Sequence, residues 1–575
     1  MKQAMKKIQW YQAYPYLIIL AIALIFALPQ LHSRGIYLGA DTAFHFNRAF
    51  ESMQRLKHLN FHNMTMSLYG FGATGRIVNA FYGPGLGYCF GLILLVTQAW
   101  LKFQLITNFI LTFGTIALSY WLFNKYSRQP FLSLTVATLL SLTSYWALTY
   151  WYQSSGGMPW GMMFLPLVID AGMQMTSGQK QLVKPIKLGI TMAIILECYM
   201  LSFVFSVFII SAFFIVALVT TNQKLMLVKQ IALAGLISVG LTLGYWIDYL
   251  TIIKTQPILS PFIFTSPKAL STNPYQGLAF WLIVLSITLL VACFKQVSRQ
   301  QWLLLIFGLL FLFIASAPAI VTNHWNDIAF FKIVQFPMRF TLPGLYLLSF
   351  FVILSLTQLI NTLNLKKQYI LAISIGLLLI GGMTIKNTYI SNENANQNFW
   401  RQDNTLASKL VIPNDESKEA SQIQDLLQKR QQQFDKSMHV VNFRAPDYLP
   451  GKDEVFSNDK HYQAVVNNLI LPSQFKKRIN NAGNLEITWY QAHPAKIQVP
   501  AVAYRQTVAT LNGKKIMPKT GLVGVIDVVG REGENQLILG IKTSLLQTVA
   551  YVSPIIVIVI LLSYRVISIR KRHNE

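Results

Sequence analysis

Charge is scarce in this chain, and negative charge is scarcest. Asp, Glu, Lys and Arg make up 12% of 575 residues, with 22 acidic against 48 basic. Soluble domains carry roughly 25% charged residues, so a wholly soluble protein is excluded. The formal net charge of +26 invites nucleic acid as a partner. The Lys and Arg residues are instead scattered between hydrophobic runs, as in loops facing an anionic cytoplasmic leaflet, and no nucleic-acid partner is expected. Cysteine is nearly absent. Cys89, Cys198 and Cys293 sit in apolar stretches with neither CxxC nor metal-ligand spacing, so they read as small hydrophobes and call for no disulfide. A leader-cleavage pattern is missing too. Lys2, Lys6 and Lys7 precede an apolar run over 14–31 that ends in Pro29, Gln30 and Leu31, where small residues belong. That predicts an uncleaved first span.

What is abundant is hydrophobic surface, 53% of the residues. A span needs about 20 mostly apolar residues. The candidates are 14–31, 83–100, 103–123, 131–151, 161–176, 187–203, 204–220, 231–250, 277–294, 302–320, 340–360, 368–386 and 547–566. Basic loops at 180–187, 224–229, 295–299 and 366–367, with the tail 565–572, fit one alternation with both termini cytoplasmic. Thirteen candidates cannot satisfy it. The Gly- and Pro-containing piece 83–91 is the expected non-crossing element, because irregular backbone at membrane depth must be covered by protein; a shorter segment near 187–220 is the alternative. The expected architecture is an α-helical polytopic membrane protein with about 12–13 transmembrane segments and an extracytoplasmic, mostly-β domain before the last span. Residues 1–386 form the membrane domain with a large first outer loop, 32–84. Residues 387–546 form the outer domain, helical over 391–437 and β-sandwich-like over 438–546, where HVVNF, LEITWY, AKIQV and NQLILGI alternate between NG, EG and PG turns. Residues 547–575 are the last span and a basic tail.

Of the 22 acidic residues, fifteen fall in the outer domain and one is Glu575, leaving Asp41, Glu51, Asp170, Glu197, Asp248 and Asp327 for the membrane part. Ionisable groups in a bilayer cost about 2.5–3.5 kcal/mol each on insertion scales, so each needs a reason. Asp41 opens a short amphipathic helix just past span one. As a structural residue it is an N-cap. As a functional one it shares a helix face with His45 and Arg48 at i, i+4 and i+7, a polar pocket at the membrane boundary. Glu197 and Asp170 lie mid-segment, where a transporter would use them, and Asp248 lies near an outer end. His324 and Asp327 of HWND are candidates for the same outer cavity as Asp41. Lys332 and Arg339, in FKIVQFPMRF, break the depletion of positive charge from outer loops, which a phosphate at the interface explains: Arg matches it bidentately and Lys adds a point charge. His58 and His62 have helical spacing but no nearby carboxylate, so zinc is not expected there.

Gly39, Asp41, Phe44, His45 and Arg48, then Asn79, Phe81, Tyr82 and Pro84, together with Gln335, Phe336, Pro337, Arg339 and Phe340 and with Asp447, Tyr448, Leu449 and Pro450, resemble the motifs of bacterial polytopic membrane proteins labelled 6-pyruvoyl-tetrahydropterin synthase-related, close to the YfhO-like family. Met338 stands where that family usually has Trp, and 150–161 lacks its Arg-Gly and later Glu. The pterin label is not taken literally, since no three-histidine zinc site is present. The resemblance implies a GT-C-type fold in the bacterial cell membrane and transfer of a sugar from a polyprenyl-phosphate donor to a cell-surface polymer or glycolipid, membrane lipid being a further partner. It implies Asp41 as catalytic base, or as ligand of a Mg2+ or Mn2+ ion, a role one carboxylate fills poorly. His45, Arg48, Asn79, Tyr82, Lys332, Gln335 and Arg339 then bind the donor and its phosphate. The rival classes are a flippase or transporter of a lipid-linked precursor and a non-catalytic membrane scaffold.

Overall fold

The structure, a computed structural model, describes residues 10–33, 35–37, 41–142, 156–178, 182–260, 271, 277–325, 327–401, 427, 438, 442–451 and 459–574. It is mostly helical. Seven described helices are long and apolar enough to cross a membrane: Trp100–Ser127, Met200–Thr220, Lys224–Leu241, Gly277–Gln296, Pro337–Thr362, Lys367–Asn387 and Leu545–Ser568. Four shorter apolar helices accompany them, Ala13–Leu28, Pro84–Thr97, Pro130–Leu142 and Arg299–Ala315.

Several expected spans are broken. The candidate 231–250 is interrupted at Thr242, between helices Lys224–Leu241 and Leu243–Thr255. The candidate 187–203 ends at Cys198, because Tyr199 adopts an extended conformation (φ −166°, ψ 124°) before the next helix begins at Met200. Between Gly157–Met162 and Leu165–Met175 the third break falls at residues 163–164. The helix Pro84–Thr97 has 14 residues, about 21 Å at 1.5 Å per residue, short of the ~30 Å hydrocarbon core. Cys198 and Cys293 are buried as expected, whereas Cys89 is exposed on that same helix.

Near the end of the chain eight strands form two sheets. β1 (Lys476–Ile479), β2 (Leu485–Gln491), β4 (Thr507–Leu511), β5 (Lys514–Ile516) and β8 (Gly533–Ile541) make one in the order β1-β2-β8-β4-β5; β3 (Ala495–Val502), β6 (Lys519–Thr520) and β7 (Val525–Gly530) make the other in the order β3-β7-β6. All pairings are antiparallel. Inward residues of both sheets, among them Ile487, Trp489, Leu537 and Leu539 facing Val499, Ile526 and Val528, share one core. Strands begin at Lys476, later than expected; 459–470 is helical. The helical pattern at 421–434 and the strand HVVNF fall almost wholly outside the described residues.

The first loop is inseparable from this domain. Met66 and Leu68 belong to the β-domain core. Asn63 donates to the Gly483 carbonyl (2.9 Å) and accepts from the Ile541 amide (2.7 Å), and Thr74 accepts from the Val502 amide (2.8 Å). The last helix is also pinned. Asp248 accepts from Gln547 (2.9 Å) and from the Tyr551 hydroxyl (2.8 and 2.9 Å), so it is an anchor rather than a residue reaching for solvent.

Candidate functional site

Helix α1 (Trp10–Ser33) is followed by α2 (Thr42–Lys57), which crosses under the first loop with fourteen of its sixteen residues buried. Buried polar groups must find partners, and those of α2 find them in the loop. Glu51 pairs with Arg55 (2.7 Å) and accepts from the amides of Leu68, Tyr69 and Gly70 (3.1, 2.7 and 2.7 Å). Arg55 donates to the carbonyls of Asn60, His62, Asn63 and Met66. Asn47 accepts from the Phe71 amide at 2.6 Å. This polar knot fixes the loop on the helix, and so fixes the helix start at Asp41.

Asp41 occupies the N-cap position, but with φ −105° and ψ 5° its side chain makes no capping hydrogen bond, unlike an N-cap in the β region. The residue is exposed. One and two turns along, His45 and Arg48 are both buried. Burial and the Arg48 charge hold the imidazole well below its usual pKa, so His45 is neutral at pH 7 and supplies no phosphate charge. The Arg48 guanidinium lies over the Tyr82 ring (4.7 Å to the centroid) and donates to the Gly83 carbonyl at 3.0 Å. Burial lowers its pKa to about 10, which leaves it cationic.

Glu197 reaches the same place from another helix. Its Oε2 accepts from the Gly85 amide at 2.8 Å, at the N-terminus of α3 (Pro84–Thr97), where a carboxylate is favoured by the exposed amides and the helix dipole. A Cβ on Gly83 would lie 2.5 Å from Glu197 Cα, so glycine is required for this approach. Asp170 is likewise engaged, by Lys125, Lys187, Tyr126 and Gln174.

The Arg339 segment is built on a tight turn. Gln335 has φ 65° and ψ −47°, with the Phe336 amide donating to the Val334 carbonyl at 2.8 Å. This is a γ-turn of the positive-φ kind, strained for a residue with a side chain. Arg339 braces it. Its Nη1 donates to Val334 O (2.9 Å) and to Gln335 Oε1 (2.8 Å), and the guanidinium lies over the Phe336 ring. Arg339 is 7% exposed, not a headgroup anchor at the boundary. Lys332 stands on the preceding helix, Ala329–Val334.

A strap from the outer domain closes the site. Residues 448–451 pair with 257–259 through the amides of Leu259, Tyr448 and Gly451, and the Tyr504 hydroxyl donates to the Tyr448 carbonyl at 3.1 Å. Arg76 holds the preceding stretch by the carbonyls of Phe443, Ala445 and Asp447. Tyr448, at φ 66°, stacks on Phe81 (4.7 Å between centroids) and meets Tyr82 edge-on (5.8 Å). The Tyr199 ring stands 6.0 Å from that of Tyr82 between centroids. Burial raises the pKa of both phenols, with Asp41 raising that of Tyr82 and the Arg339 charge opposing the rise at Tyr448. Arg48 and Tyr448 thus meet on the Tyr82 ring.

The other candidates make contacts of their own. Asn79 donates to the Met64 carbonyl at 3.5 Å within the loop. His324 and Asp327 face each other at 3.4 Å, 66% and 73% exposed. His58 stacks on Tyr69 and bonds the Gln54 carbonyl. Among the described residues, no group of three or more His, Cys, Asp or Glu is gathered to hold a metal. Arg76, Tyr199 and Tyr448 were not singled out by sequence reasoning; only the DYLP motif pointed to the last.

No family model and no curated protein matches the chain. Among solved structures it is similar to the Archaeoglobus fulgidus oligosaccharyltransferase tethered to an acceptor peptide containing the NVT sequon, with a TM-score of 0.41 and 13% identity over 73% of this chain and 60% of that one. It is also similar to the apo form of that enzyme, with a TM-score of 0.34 and 14% identity over the same shares. The chain thus spans about 60% of the length of the enzyme it matches.

Proposed function

We propose that this protein is a membrane glycosyltransferase of the GT-C type that moves a sugar from a polyprenyl-phosphate donor to a cell-surface polymer or glycolipid, on the face that carries the β-domain. One observation carries the reading: Arg48, on the helix that starts at Asp41, lies over the Tyr82 ring at 4.7 Å, and Tyr82 meets Tyr448 of the outer-domain strap edge-on at 5.8 Å, so the first loop and the outer domain build one polar and aromatic site. In the proposed step an acceptor hydroxyl attacks the anomeric carbon, the bond to the donor phosphate breaks, and polyprenyl phosphate leaves with the electron pair. Asp41, exposed and not spent on capping, takes the hydroxyl proton. Arg339 and Arg48 stabilise the negative charge that develops on the departing phosphate, the largest electrostatic demand of the step. Tyr82 and Tyr448 orient donor oxygens as hydrogen-bond donors, since their raised pKa values keep them protonated.

The engagement of Glu197 by the start of α3, and of Asp170 by two lysines, favours this reading over a transporter that cycles protons through those two carboxylates. The test is transfer from a synthetic polyprenyl-phosphate sugar by the purified full-length protein. Base catalysis contributes about 10²–10⁴-fold, so Asp41→Asn is expected to lose activity by that factor. Full activity in Asp41→Asn removes the base role, and an inactive wild type with every such donor removes the transferase reading.

A further inference from the structure

A second cluster of charged side chains lies far from the tyrosines. The helix Trp100–Ser127 begins beside the site, where Trp100 stacks on Phe46 of α2 at 4.0 Å. Its 28 residues run roughly 42 Å at 1.5 Å per residue, more than the ~30 Å hydrocarbon core, so its last turn reaches headgroup level on the opposite face. Lys125 stands in that turn. Lys187 reaches it from the start of Pro185–Cys198, and Asp170 from Leu165–Met175. Asp170 is buried and takes four donors: Lys125 and Tyr126 on Oδ1, Lys187 (3.1 Å) and Gln174 (2.8 Å) on Oδ2.

One buried carboxylate calls for one counter-charge, and here it has two. Among the described residues neither lysine forms an ion pair with another acid. The cluster therefore carries one positive charge in excess. Each ammonium has three N–H donors, of which the carboxylate takes one. Both side chains stay partly open, at 37% and 40%. They are also held in place: the Trp121 ring lies 5.4 Å from Lys125 Nζ and 4.5 Å from Lys187 Nζ, so one aromatic floor carries two ammonium groups from two helices.

We propose that Lys125 and Lys187 form a binding site for the phosphate of an anionic membrane lipid, in the leaflet opposite the β-domain. Basic pockets between spans suit such headgroups. Two ammonium groups over one indole give a phosphate two point-charge contacts, and an indole at the interface is itself a favoured neighbour of headgroups. The commitment to a lipid over a dissolved phosphate comes from what lies beneath. Ile194 is exposed two turns deeper on the face of Lys187, where an acyl chain below the bound phosphate would run. Asp170 sets the two amines together and competes with the phosphate for them. The site requires no sugar transfer and stands whatever the reaction at the other face.

The experiment is native mass spectrometry of the purified full-length protein, released from nanodiscs of phosphatidylglycerol and phosphatidylcholine in equal parts, counting the lipids that stay bound. Wild type is expected to keep phosphatidylglycerol in preference to phosphatidylcholine. Lys187→Gln, which leaves Asp170 its pair with Lys125, is expected to weaken that preference about fivefold, the worth of one lysine at an anionic surface. Asp170→Asn removes no cation and frees both amines, and is expected to strengthen the preference by a similar factor. Lys366→Gln, at an exposed lysine beyond the far end of Pro337–Thr362, is expected to leave it unchanged. An unaltered preference in Lys187→Gln overturns the site, and so does an equal loss in Lys366→Gln, which makes the attraction one of diffuse surface charge. If Lys187→Gln does not fold, Asp170→Asn still decides: a preference it weakens or leaves in place means that the lysines serve the carboxylate alone. Displacement of phosphatidylglycerol from wild type by inorganic phosphate overturns the lipid as the ligand.

Discussion

Replacing Glu51 by alanine tests whether the knot under the first loop positions the site. Glu51 is 2% exposed and Arg55 is fully buried, so the substitution leaves a guanidinium in the interior without its counter-charge. Breaking a buried pair by removing one partner costs about 3–5 kcal/mol. The amides of Leu68, Tyr69 and Gly70 lose their acceptor as well, at roughly 1–3 kcal/mol for each group left unsatisfied. These losses overlap, since the loop relaxes once to meet all of them, and a total on the order of 5 kcal/mol follows from the two ranges. The loss is local. Met66 and Leu68 leave the β-domain core with the loop, while the apolar helices keep their packing. Glu51→Ala is therefore expected to expose residues 58–75 to limited proteolysis at temperatures where wild type is resistant. The double variant Glu51→Met/Arg55→Met removes both charges and should recover part of the loss. A single variant as resistant as wild type, or a double variant more labile than either single one, refutes the reasoning that the ion pair and its amides fix the loop.

Two further outcomes follow from the site. Arg339→Lys keeps the charge and a nitrogen able to donate to Val334 and Gln335, but loses the planar group that lies over the Phe336 ring; transfer is expected to fall about 10-fold, on the order of the 1–2 kcal/mol of a buried cation–π contact, read as kcat at saturating donor. Asp447 also makes stability pH-dependent. Its carboxyl titrates near 7 in the folded chain and near 4 when unfolded, so the unfolded state binds fewer protons in between and stability falls as pH rises through that window. The gap is worth up to about 4 kcal/mol above pH 7. Tm of wild type is expected to drop between pH 5 and pH 8 by more than that of Asp447→Asn; parallel curves for the two proteins contradict the raised carboxyl.

Hydropathy carried the spans, because twenty apolar residues leave a signal that nothing else mimics. It did not carry the break at Tyr199, where one residue changes conformation with neither Gly nor Pro to mark it, nor the one at Thr242, although Gly240 and Gly244 flank it. Alternation of apolar residues carried the strands from β2 onward. It could not show that Met66 and Leu68 complete their core, since pairing across the length of a chain leaves no local period. The charge-rule violation drew attention to Arg339, which is buried and braces the turn at Gln335. Glu197 was read as a mid-segment acid of the kind a transporter would use; its partner is a backbone amide, which no side-chain pattern reveals. Asp447 was visible only as part of DYLP; that Arg76 takes its backbone carbonyl and not its carboxylate is a matter of geometry alone.

The joint between the first loop and the β-domain also fixes a timetable. Asn63 meets Gly483 across 420 residues. At a synthesis rate of about 5–20 residues per second, the loop waits roughly 20–80 s for its first partner strands to be made, and until then Met66 and Leu68 lack the strands that cover them in the folded protein. The β-domain expressed by itself would lack those two side chains and present their vacated places as an open apolar surface. The first loop is thus made long before the strands that complete its core, and its nascent form exposes an apolar surface that the folded protein hides.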